Sequence, residues 1–332
     1  MSRVLVVSSY PPRHCGIGSY ARAQVERLRG EDHRVTVLSP RDGDGDVRTD
    51  FFGGRPFFAA ARRGRAYDRI FVHFQPALYF RPRSPMSKIS TSLGLLWLVL
   101  RRRQTEIVIH EADPPLRWRP DYLLLAAAFR AAPMLLFHTD EERRALEQRY
   151  GVRIRWRLIS HRDGVRVTAP VDRNSARRRL GIPEEEAALV SPGFIHPGKG
   201  YDRAMVSFRN AGTGGRLYIV GSVKDPAPKN LAHARLLREM ATDVPGVQLV
   251  ERFVDDDEFD LWIAAADAVI LPYRRSWSSG VLARAQALGT PAVVTRVGGL
   301  AEQASSRDVV VADDEELTKA IARVVNEREV AS

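Results

Sequence analysis

The stretch "ADAVILPYRRSWSSGVLARAQALGTPAVVTRVGG", residues 266–299, decides the fold. An apolar run of strand length, "DAVILPY", leads through a loop into "GVLARAQAL", whose apolar spacing is helical and which Gly289 stops; a second apolar run, "PAVVTR", follows. Strand, helix and strand at these lengths form a crossover unit, and crossover units build parallel sheets covered by helices. Arg284 sets a cation in the middle of that helix, and what it meets is the question the unit raises.

Working outward, the alternation continues in both directions. Towards the amino terminus the apolar runs are "RVLVVSS", "RVTVLS", "RIFVHF", "EIVIHE" and "PMLLFHT", separated by helical patterns such as "SYARAQVERLRG" and "DEERRALEQRYG", with Gly30 and Gly151 as stops. Nearer the opening stretch the runs are "AALVSPG", "GRLYIVGS", "VQLVER" and, beyond it, "DVVVAD", with helices expected near residues 200–210, 229–242, 256–266, 280–288 and 314–326. The two series are separated by residues 160–186, polar and broken by Pro170 and Pro183, which read as an irregular domain boundary. The expectation is an α/β chain of two doubly wound domains in tandem, residues 1–165 and 166–332, as a length of 332 residues also suggests.

Composition narrows the classes. Hydrophobic residues make up 44% of the chain and are spread along it, which suits a globular protein. The single cysteine, Cys15, excludes an intrachain disulfide and a cysteine-rich metal centre, and suits the cytoplasm. Basic residues number 51 against 40 acidic ones, a formal net charge of +11, and only Lys88, Lys199, Lys224, Lys229 and Lys319 are lysines. A basic surface favours nucleotides, phosphorylated substrates, anionic membranes or nucleic acid, or is simply solvated; charge alone does not choose. The arginines are scattered rather than gathered with aromatics into a module, so no nucleic-acid partner is expected.

The amino-terminal run "VLVVSS" is too short for a signal peptide and reads as a strand. The longest apolar stretch, "SLGLLWLVLRRR" at residues 92–103, falls short of the roughly 20 residues that span a bilayer. Two readings stay open for it: a buried helix with cations at its carboxyl end, or a segment resting peripherally on an anionic inner-membrane surface.

Three motifs carry chemistry. "GIGSYA", residues 16–21, has the spacing of a dinucleotide fingerprint, but "YPPRHC" intervenes after the strand and "VLSPRD" ends the second strand without an acid at its tip, so a nicotinamide dehydrogenase is not expected. Gly16, Ile17 and Gly18 can still bring backbone close to a ligand. "GFIHPGKG", residues 193–200, has phosphate-loop spacing but carries Gly200 where a magnesium-binding hydroxyl should stand, which argues against an ATPase or kinase. It leaves Lys199 in a loop after a strand, either facing a phosphate or exposed on the surface. In "SWSSGV" Ser278 or Ser279 can cap a helix that begins at Gly280; bare N–H groups there suit a diphosphate, and a plain capped helix is the other reading. His73, His110 and His138 end three consecutive strands, where open parallel sheets bind ligands; no pair has a metal-ligand spacing on one element, and no metal is expected.

Together, "SSYPPRHCGIGSYARAQVERL", "SPGFIHPGKGYDRAM" and "ADAVILPYRRSWSSGVLARAQALGTPAVVTRVGGLAEQ" resemble glycosyltransferases of the GT-B fold, of the retaining family 4 type. The resemblance implies two Rossmann-like domains facing across a cleft, with the acceptor held mainly by residues 1–165 and a nucleotide-sugar donor by residues 166–332. It implies sugar transfer from a nucleoside diphosphate, of the UDP or GDP type, to a hydroxyl or amine of a small-molecule or lipid acceptor with retention of configuration, and no obligatory cofactor. Lys199 and His110 take catalytic places, Lys199 at the donor phosphates and His110 as a histidine that positions the transferred sugar. Gly193, Phe253, Val254, Ser279, Gly280, Val281, Arg284 and Glu302 fall in the donor site, and Gly16, Ile17, Gly18 and His73 in the acceptor or cleft loop.

The chain departs from the family pattern at three places. Ser276 and Arg284 stand where two glutamates eight apart are usual, and Phe194 where an arginine is. Arg284 then meets an unusual donor, points elsewhere, or marks a site without turnover. Two other classes remain beside the transferase: a degenerate GT-B subunit that binds a partner or ligand without turnover, and a sugar-nucleotide epimerase.

Overall fold

The structure, a computed structural model, describes residues 1–111, 113, 119–166 and 171–331; Pro170 lies outside them. The chain divides into two compact units, Met1–Val165 and Arg166–Ser332. The first is built on β1 (Arg3–Val7), β2 (Arg34–Pro40), β3 (Val47–Thr49), β4 (Arg69–Phe74), β5 (Thr105–Ile109), β6 (Met134–Phe137) and β7 (Trp156–Leu158). The second holds β8 (Ala188–Pro192), β9 (Arg216–Gly221), β10 (Val247–Glu251), β11 (Ala268–Leu271), β12 (Ala292–Thr295) and β13 (Val309–Val311).

Both sheets are parallel and doubly wound. Their strand orders are β3-β2-β1-β4-β5-β6-β7 and β10-β9-β8-β11-β12-β13. In each, the first strand of the unit lies inside the sheet, and the connections run to opposite sides of it. The direction therefore switches between β1 and β4, and again between β8 and β11, where the crossovers leave a crevice beyond the carboxyl ends of the strands. The short edge strands β3 and β7 carry too little apolar alternation to be read from the sequence; β7 has all three residues exposed.

Apolar continuity in the central strands follows from burial on both faces. In the second unit the period of two sorts the residues: Val190, Tyr218, Val269 and Val294 enter the core on one face, and Leu189, Leu217, Ile270 and Val293 the core on the other. In the first unit Val4, Leu5, Val6 and Val7 are all fully buried.

The described residues on either side of 167–170 are more regular than the composition of this boundary suggests. They contain the turn His161–Gly164 and a helix, Arg173–Leu180. Asp172 caps that helix by accepting from the Ser175 N–H at 2.9 Å, and Gly181 ends it at φ 70°. The helix is anchored by Arg177, a fully buried cation. Its guanidinium donates to Asp267 at 2.7 Å and to the carbonyls of Ala265, Pro183, Glu184 and Glu186. Asp267 also accepts from the Ala188 N–H at 2.8 Å, so one ion pair ties the helix to the starts of β8 and β11.

Arg177→Met should lower unfolding free energy by about 3 kcal/mol, because it leaves a buried carboxylate and four carbonyls short of a donor. Urea denaturation followed by circular dichroism measures this, and an unchanged midpoint would contradict the anchoring role.

Candidate functional site

In the second unit, β8 and β11 deliver the candidate donor-site residues to the crevice at their switch point. After β8 the chain leaves at Gly193, whose φ is 134°. Its carbonyl lies where a side chain at Gly221 would stand, 1.8 Å from that Cβ position, so the ends of β8 and β9 touch backbone to backbone. The turn Pro197–Lys199 then closes on Gly200, at φ 67°, whose missing Cβ would fall 2.1 Å from the Pro272 carbonyl. Gly200 is therefore required by the approach of the loop after β11, a packing reason for the residue that breaks the phosphate-loop pattern.

That approach places Lys199. Its ammonium sits 3.8 Å from the centroid of the Tyr273 ring, a cation–π contact, and among the described residues it has no carboxylate partner. Tyr273 is buried, and its hydroxyl lies 3.4 Å from Ser279 Oγ. Ser279, rather than Ser278, caps the Gly280–Leu288 helix by accepting from the Leu282 N–H at 3.2 Å. Lys199, Tyr273, Ser279 and the helix start thus form one contiguous wall. Gly280 and Val281 lie in the first helical turn, where N–H groups have no partner within the helix, and Gly280 is exposed. His196, beside Lys199, is held neutral: burial, then the nearby lysine charge, push its pKa down to about 4.

The helix start is braced from behind. Gln303 accepts from the Ser279 N–H at 2.9 Å and donates to the Ser279 carbonyl at 2.7 Å. The Gly299 N–H donates to the Trp277 carbonyl, and a Cβ at Gly298 would lie 1.9 Å from the Ser276 carbonyl. The glycine pair therefore closes on the loop before the helix. Ser276 turns its hydroxyl back to the Ser278 carbonyl at 2.9 Å. Glu302, singled out in the sequence, is exposed on the short Leu300–Gln303 helix, and its neighbour Gln303 holds Ser279. Phe253 is exposed in the loop after β10, and Val254 is buried in the core. At Phe194 the Lys224 ammonium stands 5.1 Å from the ring centroid.

Arg284 turns inward. It donates to Asp260 at 2.7 Å, to the Asp256 carboxylate at 2.9 Å and to the Asp256 carbonyl at 2.7 Å, and its guanidinium lies over the Phe259 ring. Of the readings left open by the sequence, the structure places it elsewhere than at the helix start. It joins the Asp256–Ala265 helix to the Gly280–Leu288 helix within the domain.

In the first unit the strand-end histidines converge, and a fourth joins them. His73, on β4, His110 after β5, His138 after β6 and His161 in the turn after β7 surround the Tyr20 ring with centroid separations of 5.5, 5.0, 5.4 and 5.6 Å. Gly164 admits that ring, since a Cβ there would fall 2.0 Å from it. His73 does not line a ligand loop as expected. It is fully buried between Gln24 and His110, with Nε2 2.9 Å from Gln24 Oε1 and Nδ1 2.9 Å from His110 Nε2. A neutral imidazole has one donor and one acceptor nitrogen. The Gln24 oxygen requires a proton on His73 Nε2, so His73 Nδ1 accepts from His110 Nε2–H and His110 Nδ1 carries a lone pair.

Burial keeps the cluster uncharged. It pushes His73 down to about 3 and His161 to about 4, and His110 and His138 well below the ordinary value of 6.5, with further lowering of these two by neighbouring imidazoles. Gly16 and Ile17 open the Gly16–Gly30 helix, and the Cβ position of Gly18 lies 3.5 Å from Ser9 Oγ. Tyr20, Gln24 and His161 were not singled out by sequence; Tyr20 and Gln24 are four apart on one helix face, a signal that identifies them once the strand-end histidines are known.

Two predictions come from this geometry. Unfolding makes buried neutral histidines available to protons, so stability is complete above about pH 6.5 and falls with pH below it, by about 1.4 kcal/mol per pH unit for each histidine until its folded pKa is reached. Chemical denaturation at pH 7, 6 and 5 measures the slope, and H161F should reduce it; a slope unaltered by that change would contradict the assignment. R284M should destabilise by about 3 kcal/mol by removing the cation from the buried Asp260 carboxylate, while leaving nucleotide affinity within a factor of about two. Denaturation and calorimetry read the two effects separately.

Comparison with known proteins agrees with this architecture. A model described as Glycosyltransferase Family 4 matches residues 15–195, and one described as Glycosyl transferases group 1 matches residues 192–327. A D-inositol 3-phosphate glycosyltransferase from Nocardioides sp. is 35% identical over 184 residues, covering 51% of this chain and 40% of the relative. That of Kribbella flavida is 33% identical over 198 residues, covering 57% and 45%. The chain thus spans less than half the length of these relatives. Sucrose-phosphate synthase from Thermosynechococcus elongatus superposes with a TM-score of 0.69 at 17% identity, covering 100% of this chain and 94% of that one. Anabaena HepE in complex with UDP-glucose gives 0.71 at 14% identity, with the same coverage. The likeness extends the two parallel-sheet domains to the GT-B fold, and with a family model matched over more than half of its length the chain belongs to glycosyltransferase family 4.

Proposed function

We propose that the chain transfers a sugar from a nucleoside-diphosphate donor, of the UDP or GDP type, to a hydroxyl or amine of a small-molecule or lipid acceptor with retention of configuration. The observation that carries this reading is the Lys199 ammonium, without a carboxylate partner among the described residues, stacked on Tyr273 and joined through Ser279 to an open helix start at a switch point. Positive charge from a lysine, first-turn amides and the helix dipole meets the negative charge that grows on a departing diphosphate. The bond from the anomeric carbon to the phosphate oxygen breaks, the acceptor oxygen or nitrogen bonds to that carbon, and the acceptor proton passes to the leaving phosphate. His110, with its Nδ1 lone pair set by His73 and Gln24, is suited to accept a hydrogen bond from a sugar hydroxyl. The relatives' printed names, glycosyltransferases acting on inositol 3-phosphate and HepE with UDP-glucose, support a sugar nucleotide and favour UDP as the first donor to try.

Calorimetric titration with UDP, GDP, ADP, TDP and CDP tests the donor site. One nucleotide should bind selectively, and K199A should weaken it at least tenfold, about 1.4 kcal/mol. Binding of none by the folded protein would overturn the reading and point to the partner-dependent subunit, and donor consumption without any acceptor would point to the epimerase. Q24L should lower turnover while leaving nucleotide affinity unchanged, since it removes the group that orients His73; equal loss of both would assign Gln24 to folding alone.

A further inference from the structure

The Pro85–Arg101 helix is apolar on two opposite faces, and among the described residues only one of them is packed. Leu95, Leu98 and Val99 are buried against the first unit. On the other side Met86, Leu93, Trp97 and Leu100 stand 73%, 46%, 44% and 51% exposed. Their spacings of seven, four and three place them within one narrow arc, and the helix packed beside it, Pro120–Ala131, adds Leu123 at 53% exposure. A helix apolar all round is ordinarily buried all round, and contiguous exposed apolar surface marks an interaction site.

The charge around the stripe says what it fits. From residue 69 to residue 105 the chain has no acidic residue and seven basic ones. Arg81, Arg83, Arg101 and Arg103 are exposed at the two ends of the helix, and Arg130 is exposed at the end of its neighbour. Arg101 lies 4.4 Å over the Trp97 ring, which keeps a cation at the edge of the apolar surface. Asp121, in the neighbouring helix, is buried and paired with Arg119. No helix among the described residues is long and apolar enough to cross a membrane. A narrow apolar face bearing a tryptophan, with exposed arginines at both ends of its helix, matches the boundary between headgroups and acyl chains of an anionic bilayer: the apolar side chains enter the boundary while the cations meet lipid phosphates. We propose that this face docks the protein peripherally on an anionic lipid surface through Met86, Leu93, Trp97, Leu100 and Leu123. The two readings left open by the sequence are then faces of one helix. Docking is independent of the sugar-transfer reading, and adds to it only the place where a lipid acceptor would be met.

Sedimentation with vesicles of phosphatidylglycerol and phosphatidylcholine, against pure phosphatidylcholine, tests the face. The protein should bind the anionic vesicles, release at high salt as screening shortens the reach of the arginines, and lose at least tenfold in affinity in the variant L93S/W97S/L100S. The variant R101Q/R103Q should weaken binding with the apolar stripe intact. Circular dichroism and nucleotide titration of each variant separate loss of docking from loss of folding and from failure of the donor-site reading. Absence of binding to anionic vesicles, or equal binding by the triple variant, would overturn the proposal. So would a dimer in light scattering that the triple variant dissolves, because a second copy would then be the occupant.

Discussion

A lysine ammonium that no carboxylate neutralises among the described residues is the feature from which the second domain's site can be understood. The Lys199 ammonium lies against the face of an aromatic ring, which attracts a cation without cancelling its charge. That arrangement depends on two loops meeting, one after β8 and one after β11, and they meet because these strands pair at the point where the winding reverses. Gly200 allows the meeting, Arg274 secures it by donating its N–H to the Gly198 carbonyl, and Arg203 by donating to the carbonyls of Pro272 and Tyr273. The same residues give Tyr273 its place against Ser279, so lysine and helix start are positioned by one set of backbone contacts.

Around this centre most other charges are spent internally. Arg274 makes a two-point contact with Asp202, Arg284 is divided between Asp256 and Asp260, and Arg177 is enclosed with Asp267. Pairing these three arginines leaves Lys199, among the described residues, as the cation of this crevice without a carboxylate partner. The first domain follows the opposite policy: its strand-end cluster is assembled from imidazoles that burial keeps neutral. Under the proposed function that division is the expected one, since phosphates are charged and sugar hydroxyls are not.

What the sequence disclosed and what it hid follow from how local each signal is. The central strands, the crossover helices and the cap at Ser279 depend on residues within a few positions, and a reader of the chain meets them together. Strand β7 and the Arg173–Leu180 helix are set by tertiary contacts: the helix exists around a buried arginine whose acid partner lies ninety residues on. The partners of Arg284 are also non-local, 24 and 28 residues away. The acidic run "DDDEFD", residues 255–260, presents Asp256 and Asp260 four apart on a helix, and only folding brings that pair opposite Arg284. Tyr273 and Gln303 lack motifs altogether, being a ring and an amide whose roles come from what stands beside them.

The histidine cluster shows how a resemblance and a physical reading differ. Resemblance assigns His110 a role without saying how its nitrogen is prepared. The structure supplies the preparation, because a glutamine on the first helix fixes one imidazole, which fixes the next. The proton positions follow a single direction from an acceptor that cannot titrate. A carboxylate at residue 24 would orient His73 as well, but its charge would stabilise an imidazolium and draw a proton into the cluster. An amide orients without charging. For a cluster proposed to hold sugar hydroxyl groups, that difference matters: a neutral imidazole lone pair accepts a hydrogen bond from a hydroxyl, and an imidazolium has none to offer.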